Sequence, residues 1–298
     1  MRNISHKSNH FTLIAMAVIA NPIYDTVFKR LMENERVARF FIGTLLNQEV
    51  ASVSVLPQEF SYYNELEKLT VFRLDFMATV VTPTGKRTKV LIEMQKAKEE
   101  TDLMRFRSYL GEQYKKSELV NGEKETLPIT TIYVLGFKLP EVPTACVKVG
   151  RVYEDLVNHS PIAGRSPFIE KLTHDSYVIQ VGRIAIARHK TLLEELLTIF
   201  EQTSFTDEKS DAVKQYSHTP ANADVQTMVG ILHHIATDPA ERKVLDDEIE
   251  YRRTVEEYFG KQFAAIAEKD ERLQKQSKQL HEKDEQLKGQ SERLQEKD

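Results

Sequence analysis

Residues 71–95 read VFRLDFMATVVTPTGKRTKVLIEMQ, and the fold turns on them. The run 71–81 is rich in β-branched and aromatic residues, and 88–95 repeats that texture. Between them, Thr82-Pro83-Thr84-Gly85-Lys86 carries the chemistry of a turn. The two runs therefore predict an antiparallel hairpin. Asp75 lies between Leu74 and Phe76, and Glu93 follows Leu91 and Ile92. Gln95 is two residues on, so it shares a strand face with Glu93, while Met94 takes the other face. A carboxylate inside an apolar strand is costly unless something partners it. Two of them on neighbouring strands can share one divalent cation, and hard oxygen donors suit Mg²⁺, Mn²⁺ or Ca²⁺. An ion so held would polarise a phosphate and lower the pKa of an attacking water. The residues also admit a plainer reading, in which Asp75 and Glu93 face solvent from a half-exposed hairpin. Alternation does not choose, because odd and even positions of 71–81 are both largely apolar.

Outward from the hairpin, the chain alternates between helical and extended patterns. Upstream, Asn21-Pro22 punctuates the chain, and Asp25 suits a helix N-terminus. Val27, Phe28, Leu31 and Met32, then Val37, Phe40, Phe41, Leu45 and Leu46, recur at helical spacing. Val53 and Val55 open a short strand. Downstream come a polar helix over roughly 101–119 and the nearly unbroken apolar run 128–137, PITTIYVLGF, which reads as a strand covered on both faces. A further strand follows at Tyr177–Val181. This order predicts the α/β class, with helices against a mixed sheet. From about 186 the texture turns helical, with the polar stretch 203–224 as the candidate linker. In the tail, Phe259, Ile266, Leu273, Leu280, Leu287 and Leu294 recur every seven residues, but the companion seam positions are Asp270, Ser277, Asp284 and Ser291. That is a solvated helix or a weak coiled coil, with a homodimer through the tail as an open expectation.

The net charge of −4 is unevenly spread: residues 21–190 balance to +3 and 191–298 to −9. A mildly basic hairpin-bearing part can still hold phosphates if its cations line one groove. The single cysteine, Cys146, excludes an intrachain disulfide framework and fits a reducing, cytoplasmic setting. It sits among apolar neighbours and reads as a packed thiol. The apolar run Phe11–Ala20 is too short to span a bilayer. Met16, inside it, reads as the natural start, or the run reads as a docked N-terminal segment, rather than as a signal peptide. No later stretch looks like a membrane span. Walker-type and dinucleotide loops are absent, as is a Ser-His-Asp elbow. His233-His234, His159 and His174 have no partners at zinc spacing.

Taken as a unit, Asn21 to about Ser117 resembles the PD-(D/E)XK nuclease superfamily, and more narrowly its recombination-promoting nuclease branch, often labelled a nuclease-family transposase. The residues that carry the resemblance are Pro22-Ile23-Tyr24-Asp25-Thr26-Val27-Phe28-Lys29-Arg30-Leu31, Arg73-Leu74-Asp75, Glu93-Met94-Gln95, the next helix with Arg105 and Tyr109, and His174-Asp175-Ser176-Tyr177. The likeness covers most of 16–260. It implies a restriction-endonuclease-like core, a mixed sheet flanked by helices, over 21–185. An N-terminal extension (1–20), a helical region (186–260) and a charged helical tail (261–298) complete the expected domain plan. It implies that Asp75 and Glu93 are metal ligands, with Gln95 as the third catalytic residue where most of the superfamily has lysine. Glutamine cannot supply a lysine's charge. Lys96 points to the opposite face if the strand continues, which leaves Lys29 and Arg105 as accessory cations and Asp25 as an accessory acid. Two functions follow as expectations. One is a metal-dependent endonuclease that cuts DNA and so promotes recombination or element mobility. The other is a DNA-binding or assembly module that keeps the fold without the activity.

Overall fold

The computed structural model describes residues 17–55, 59–62, 70–73, 76–96, 100–120, 122–184, 191–207, 210–254, 269 and 275–276, with backbone alone at 59–62, 70–73, 100–102 and 105. In chain order the elements are β1 (Ala17–Ala20), α1 (Asp25–Met32), α2 (Glu35–Leu46), β2 (Ser52–Val55), β3 (Glu59–Tyr62), β4 (Thr70–Arg73), β5 (Phe76–Val81) and β6 (Arg87–Gln95). Next come α3 (Glu100–Lys115), β7 (Glu118–Val120), β8 (Glu123–Glu125), β9 (Ile129–Leu135), β10 (Cys146–Val149), β11 (Tyr153–Asp155) and β12 (Ser160–Ile162). The series ends with α4 (Pro167–Leu172), β13 (Asp175–Gln180), α5 (Leu192–Leu197), β14 (Phe205–Asp207), β15 (Ser210–Tyr216) and α6 (Ala223–Thr237). Residues 1–245 form one compact unit and 246–298 a second. In the second unit, residues 246–254, 269 and 275–276 are helical. Most of the heptad tail lies outside the described residues.

The chain is a mixed α/β protein. Its main sheet has six strands in the order β10-β13-β9-β6-β5-β2. The expected hairpin lies within it: β5 pairs antiparallel with β6, from Phe76↔Ile92 to Val81↔Arg87. Gly85 takes the left-handed conformation (φ 81°) that the turn needs, and the Gly85 N–H closes it onto the Thr82 carbonyl at 2.9 Å. β9 runs parallel to β6, and β13 parallel to β9. The apolar run that forms β9 is covered on both sides as read, with Thr131 buried on one face and Ile132 and Val134 on the other.

Helices cover both faces. On one, α3 lays Phe106 and Tyr109 over Met77, Leu91 and Ile129. On the other, Phe28 of α1 meets Phe76 edge-on at 6.2 Å and Phe41 of α2 at 5.6 Å, with Phe200 completing the aromatic group. Each such buried ring contributes about 1.5–3 kcal/mol through burial, and the edge-to-face pairs add about 0.5–1.5 kcal/mol each.

Within 71–81, the described residues are those of β4, which pairs with β3, and of β5, which enters the main sheet; residues 74 and 75 lie outside the described residues. Two expectations are corrected. The stretch 203–224 is not a linker, and the region after 186 is not purely helical. It holds β14 and β15, and β15 pairs with β1 from Ala17↔Tyr216 to Ala20↔Val213. The polar text of β15 hides its role, because its buried positions include Lys214 beside Ala212, Val213 and Tyr216. Residues 17–20 are docked, as β1 lies between β15 and α6. Its neighbour Asn21 is fully buried and bonds Gln202 and the Asp211 carbonyl.

Gly136, just past β9, closes the gap to β6. A Cβ there would lie 2.6 Å from the Lys96 carbonyl oxygen and 3.0 Å from its Cα. Both are backbone atoms and cannot step aside. Gly136→Ala is expected to destabilise the protein by about 1–3 kcal/mol, read as a lower urea midpoint at unchanged slope.

Candidate active site

The odd residues of β6 point toward α3. Leu91 fixes this, because it packs with Met77, Phe106 and Tyr109. Lys89, Leu91, Glu93 and Gln95 therefore form one row beneath α3. Lys89 is buried at its near end and bound to Glu118 at 3.0 Å. Glu93 lies deeper along the row at 2% exposure, so the reading in which it faces solvent is excluded. Its in-register neighbour on β9 is Tyr133, stacked edge-on with Phe106 at 4.7 Å.

Two phenols feel the charge of this carboxylate. Burial first, and then the negative charge of Glu93, push the Tyr109 hydroxyl up to about 12. Burial likewise pushes Tyr133 up to about 12, with Glu93 adding to it and a hydrogen bond with Thr131 opposing it. Both phenols are protonated at neutral pH, so they add no second anion beside Glu93. Tyr133 reads in the sequence as one more residue of an apolar strand; only the β6–β9 register brings it to Glu93.

Asp75 lies outside the described residues. The residue after it, Phe76, opens β5 opposite Ile92, the residue before Glu93. Gln95 is half-buried at the last position of β6, where its carbonyl accepts the Gly136 N–H at 2.8 Å. Asp25 begins α1, and its carboxylate holds the Lys29 ammonium at 2.7 Å, so these two accessory residues pair with each other. Arg105 is on α3, and its side chain lies outside the described residues.

The N-terminus of α1 meets the carboxyl end of β6 through Lys96. Its ammonium donates to the Tyr24 hydroxyl at 2.8 Å, sits 4.2 Å over that ring, and reaches Asp211 at 2.9 Å. Tyr24 also donates to Asp211. Lys96 is thus engaged with α1 and β15, away from Glu93. Nothing in the sequence signals this trio, because Asp211 is 115 residues from Lys96.

The oxygen donors of Glu93 and Gln95 share one strand face and contain no thiolate or imidazole, which fits a hard cation such as Mg²⁺ or Mn²⁺. No group of three or more His, Cys, Asp or Glu residues able to hold a metal gathers among the described residues. The histidines serve locally: His233 Nδ1 is 2.7 Å from the Val18 carbonyl, and His174 is 2.7 Å from the Tyr114 hydroxyl. Burial, then Arg151, holds His174 below its ordinary value. The Cys146 thiol is pushed up by burial, away from the reactive range. Among the described residues, no helix is long and apolar enough to cross a membrane. No protein-family model matches the chain, and no curated protein matches it.

Proposed function

We propose that the chain is a metal-dependent DNA endonuclease with a restriction-endonuclease-like core, in which Asp75 and Glu93 bind the ion and Gln95 faces the scissile phosphate. The observation that carries this reading is the burial of Glu93 at the edge of the described β5–β6 ladder. The last described pair is Phe76↔Ile92, and the next chain positions outward are Asp75 and Glu93. Glu93 lies in register with Tyr133, its charge acts on the Tyr109 phenol, and it is on the face that α3 covers. A divalent ion bound there would supply Lewis acidity toward the phosphodiester and a more acidic water. Glu93 would hold its share of the site rigidly, wedged between Tyr133 and α3. Gln95 would offer an amide donor to a phosphate oxygen but no charge. The consequence of cutting would be DNA ends that feed recombination.

A second reading, a DNA-binding module without cleavage, draws on one observation. Lys89 and Lys96, which lie on and just after this row, and Lys29, named for the site by the resemblance, are all ion-paired. Plasmid nicking in Mg²⁺, Mn²⁺ and Ca²⁺ separates the two. The endonuclease reading expects cleavage by the wild type, and loss of cleavage with retained DNA binding in Asp75→Ala and Glu93→Ala. Wild-type binding without metal-dependent nicking would establish the second reading instead.

A further inference from the structure

The three parallel strands β6, β9 and β13 end together. Gln95, Leu135 and Gln180 are in register across them, so the row spans two inter-strand spacings, about 10 Å. Ligands of open α/β sheets bind outside such carboxyl ends. Beyond this row the chain places two cations, each three residues further on. Lys138 follows Leu135, and Arg183 follows Gln180. Lys138 is exposed and lies over Gly182, with its Cε 3.2 Å from where a Cβ there would sit. Arg183 is half-buried and donates to the Leu139 carbonyl at 2.8 Å and to Gln180 at 3.1 Å.

The scaffold beneath them is built for rigidity. Gln180 is fully buried, and its side chain is saturated. Its amide oxygen accepts from Leu139 N–H at 2.6 Å and from Arg183, and its NH₂ donates to the carbonyls of Val142 at 2.9 Å and Thr144 at 2.8 Å. One side chain thus pins the loop 137–145 to the end of β13 and holds the two cations side by side. Glu141 is that loop's one acidic residue. Arg183 uses two donor groups on protein oxygens, and a guanidinium carries five N–H donors in all. No ion pair holds Lys138 among the described residues.

We propose that Lys138 and Arg183 form the rim that grips the phosphodiester backbone of duplex DNA beside Glu93 and Gln95. This rests on the endonuclease reading and names the surface that its substrate occupies. The two cations supply positive charge along the strand ends where Gln95 supplies none, and they act on the backbone without reading bases.

The test uses the full chain and a fluorescein-labelled 20-base-pair duplex in Ca²⁺, with Kd measured from 50 to 200 mM salt. Lys138→Ala is expected to weaken binding to all sequences alike and to lower the slope of log Kd against log salt by about 1. Lys138→Ala with Arg183→Gln, which keeps a donor for the Leu139 carbonyl, is expected to lower it by about 2. Lys86→Ala, at the opposite end of β6, is expected to bind as the wild type does. Wild-type affinity and slope in both rim variants would overturn the rim while leaving a cleaving wild type as a nuclease. A wild type that neither binds nor cuts DNA would overturn both.

Discussion

Glu93→Gln is expected to cut metal-dependent DNA cleavage by roughly 10²–10³-fold or more, the scale of removing one preorganised electrostatic partner, while leaving the protein folded. Glutamine keeps the shape of the side chain, so Leu91, Phe106 and Tyr133 keep their packing. What changes is the charge at a position only 2% exposed. A neutral amide is a poorer ligand for a hard cation than a carboxylate, so affinity for Mn²⁺ should fall together with cleavage. A readout independent of activity exists in the same pocket. The charge of Glu93 is the second cause, after burial, of the raised Tyr109 hydroxyl, and it adds to the raised Tyr133. In Glu93→Gln both phenols should ionise at lower pH, followed by tyrosinate absorbance, though burial keeps them above the ordinary value of 10. Unchanged tyrosine titration would contradict the placement of Glu93 against these phenols.

The second large effect lies far from that pocket in the chain. Lys214 sits on β15 at 2% exposure, between Ile19 of β1 and Phe205 of β14 in register. Its ammonium donates to the Glu201 carbonyl. Burial brings it from 10.5 down to about 7, with the Glu201 carboxylate pulling the other way. The same carboxylate is 3.7 Å from His218 and accepts from Thr203. The folded value lies below the unfolded one, so between about pH 7 and 10.5 the unfolded chain binds a proton that the folded chain does not. Stability therefore rises with pH across that window, and below pH 7 the full cost of burying the cation is present. Lys214→Met should stabilise the protein by about 4 kcal/mol at pH 6, the cost of burying the cation, about 5 kcal/mol for the fall from 10.5 to about 7, less a hydrogen bond worth about 1 kcal/mol. The gain should shrink toward zero by pH 10.5. Urea midpoints at pH 6 and pH 10 check this, and an equal difference at both would contradict it.

How much of this was legible in the sequence depended on whether the signal was local. The β5–β6 hairpin and β9 could be read because their apolar runs and the turn at Thr82–Lys86 are contiguous. Helices α1 and α2 were legible from the spacing of Val27, Phe28, Leu31 and Phe41. β15 was not, because Ser210, Asp211 and Lys214 look like surface text, and its partner β1 lies almost two hundred residues upstream. The small elements between β10 and β13 also escaped. β11, β12 and α4 contain no buried residue to leave a periodic mark, and ion pairs of Arg151 with Glu170 and Asp175 hold the segment instead. At the candidate site, Glu93 and Gln95 could be named from strand alternation. The commitment of Lys96 to Tyr24 and Asp211 and the clamp of Gln180 on loop 137–145 could not, because both depend on which strand ends meet.

The most direct test is a crystal of the full chain soaked in Mn²⁺, read by anomalous scattering. The account predicts one manganese peak about 2.0–2.6 Å from a carboxylate oxygen of Asp75 and one of Glu93, on the α3 side of the sheet. A peak bound elsewhere, or Asp75 and Glu93 on opposite faces of the sheet with no ion between them, would contradict it.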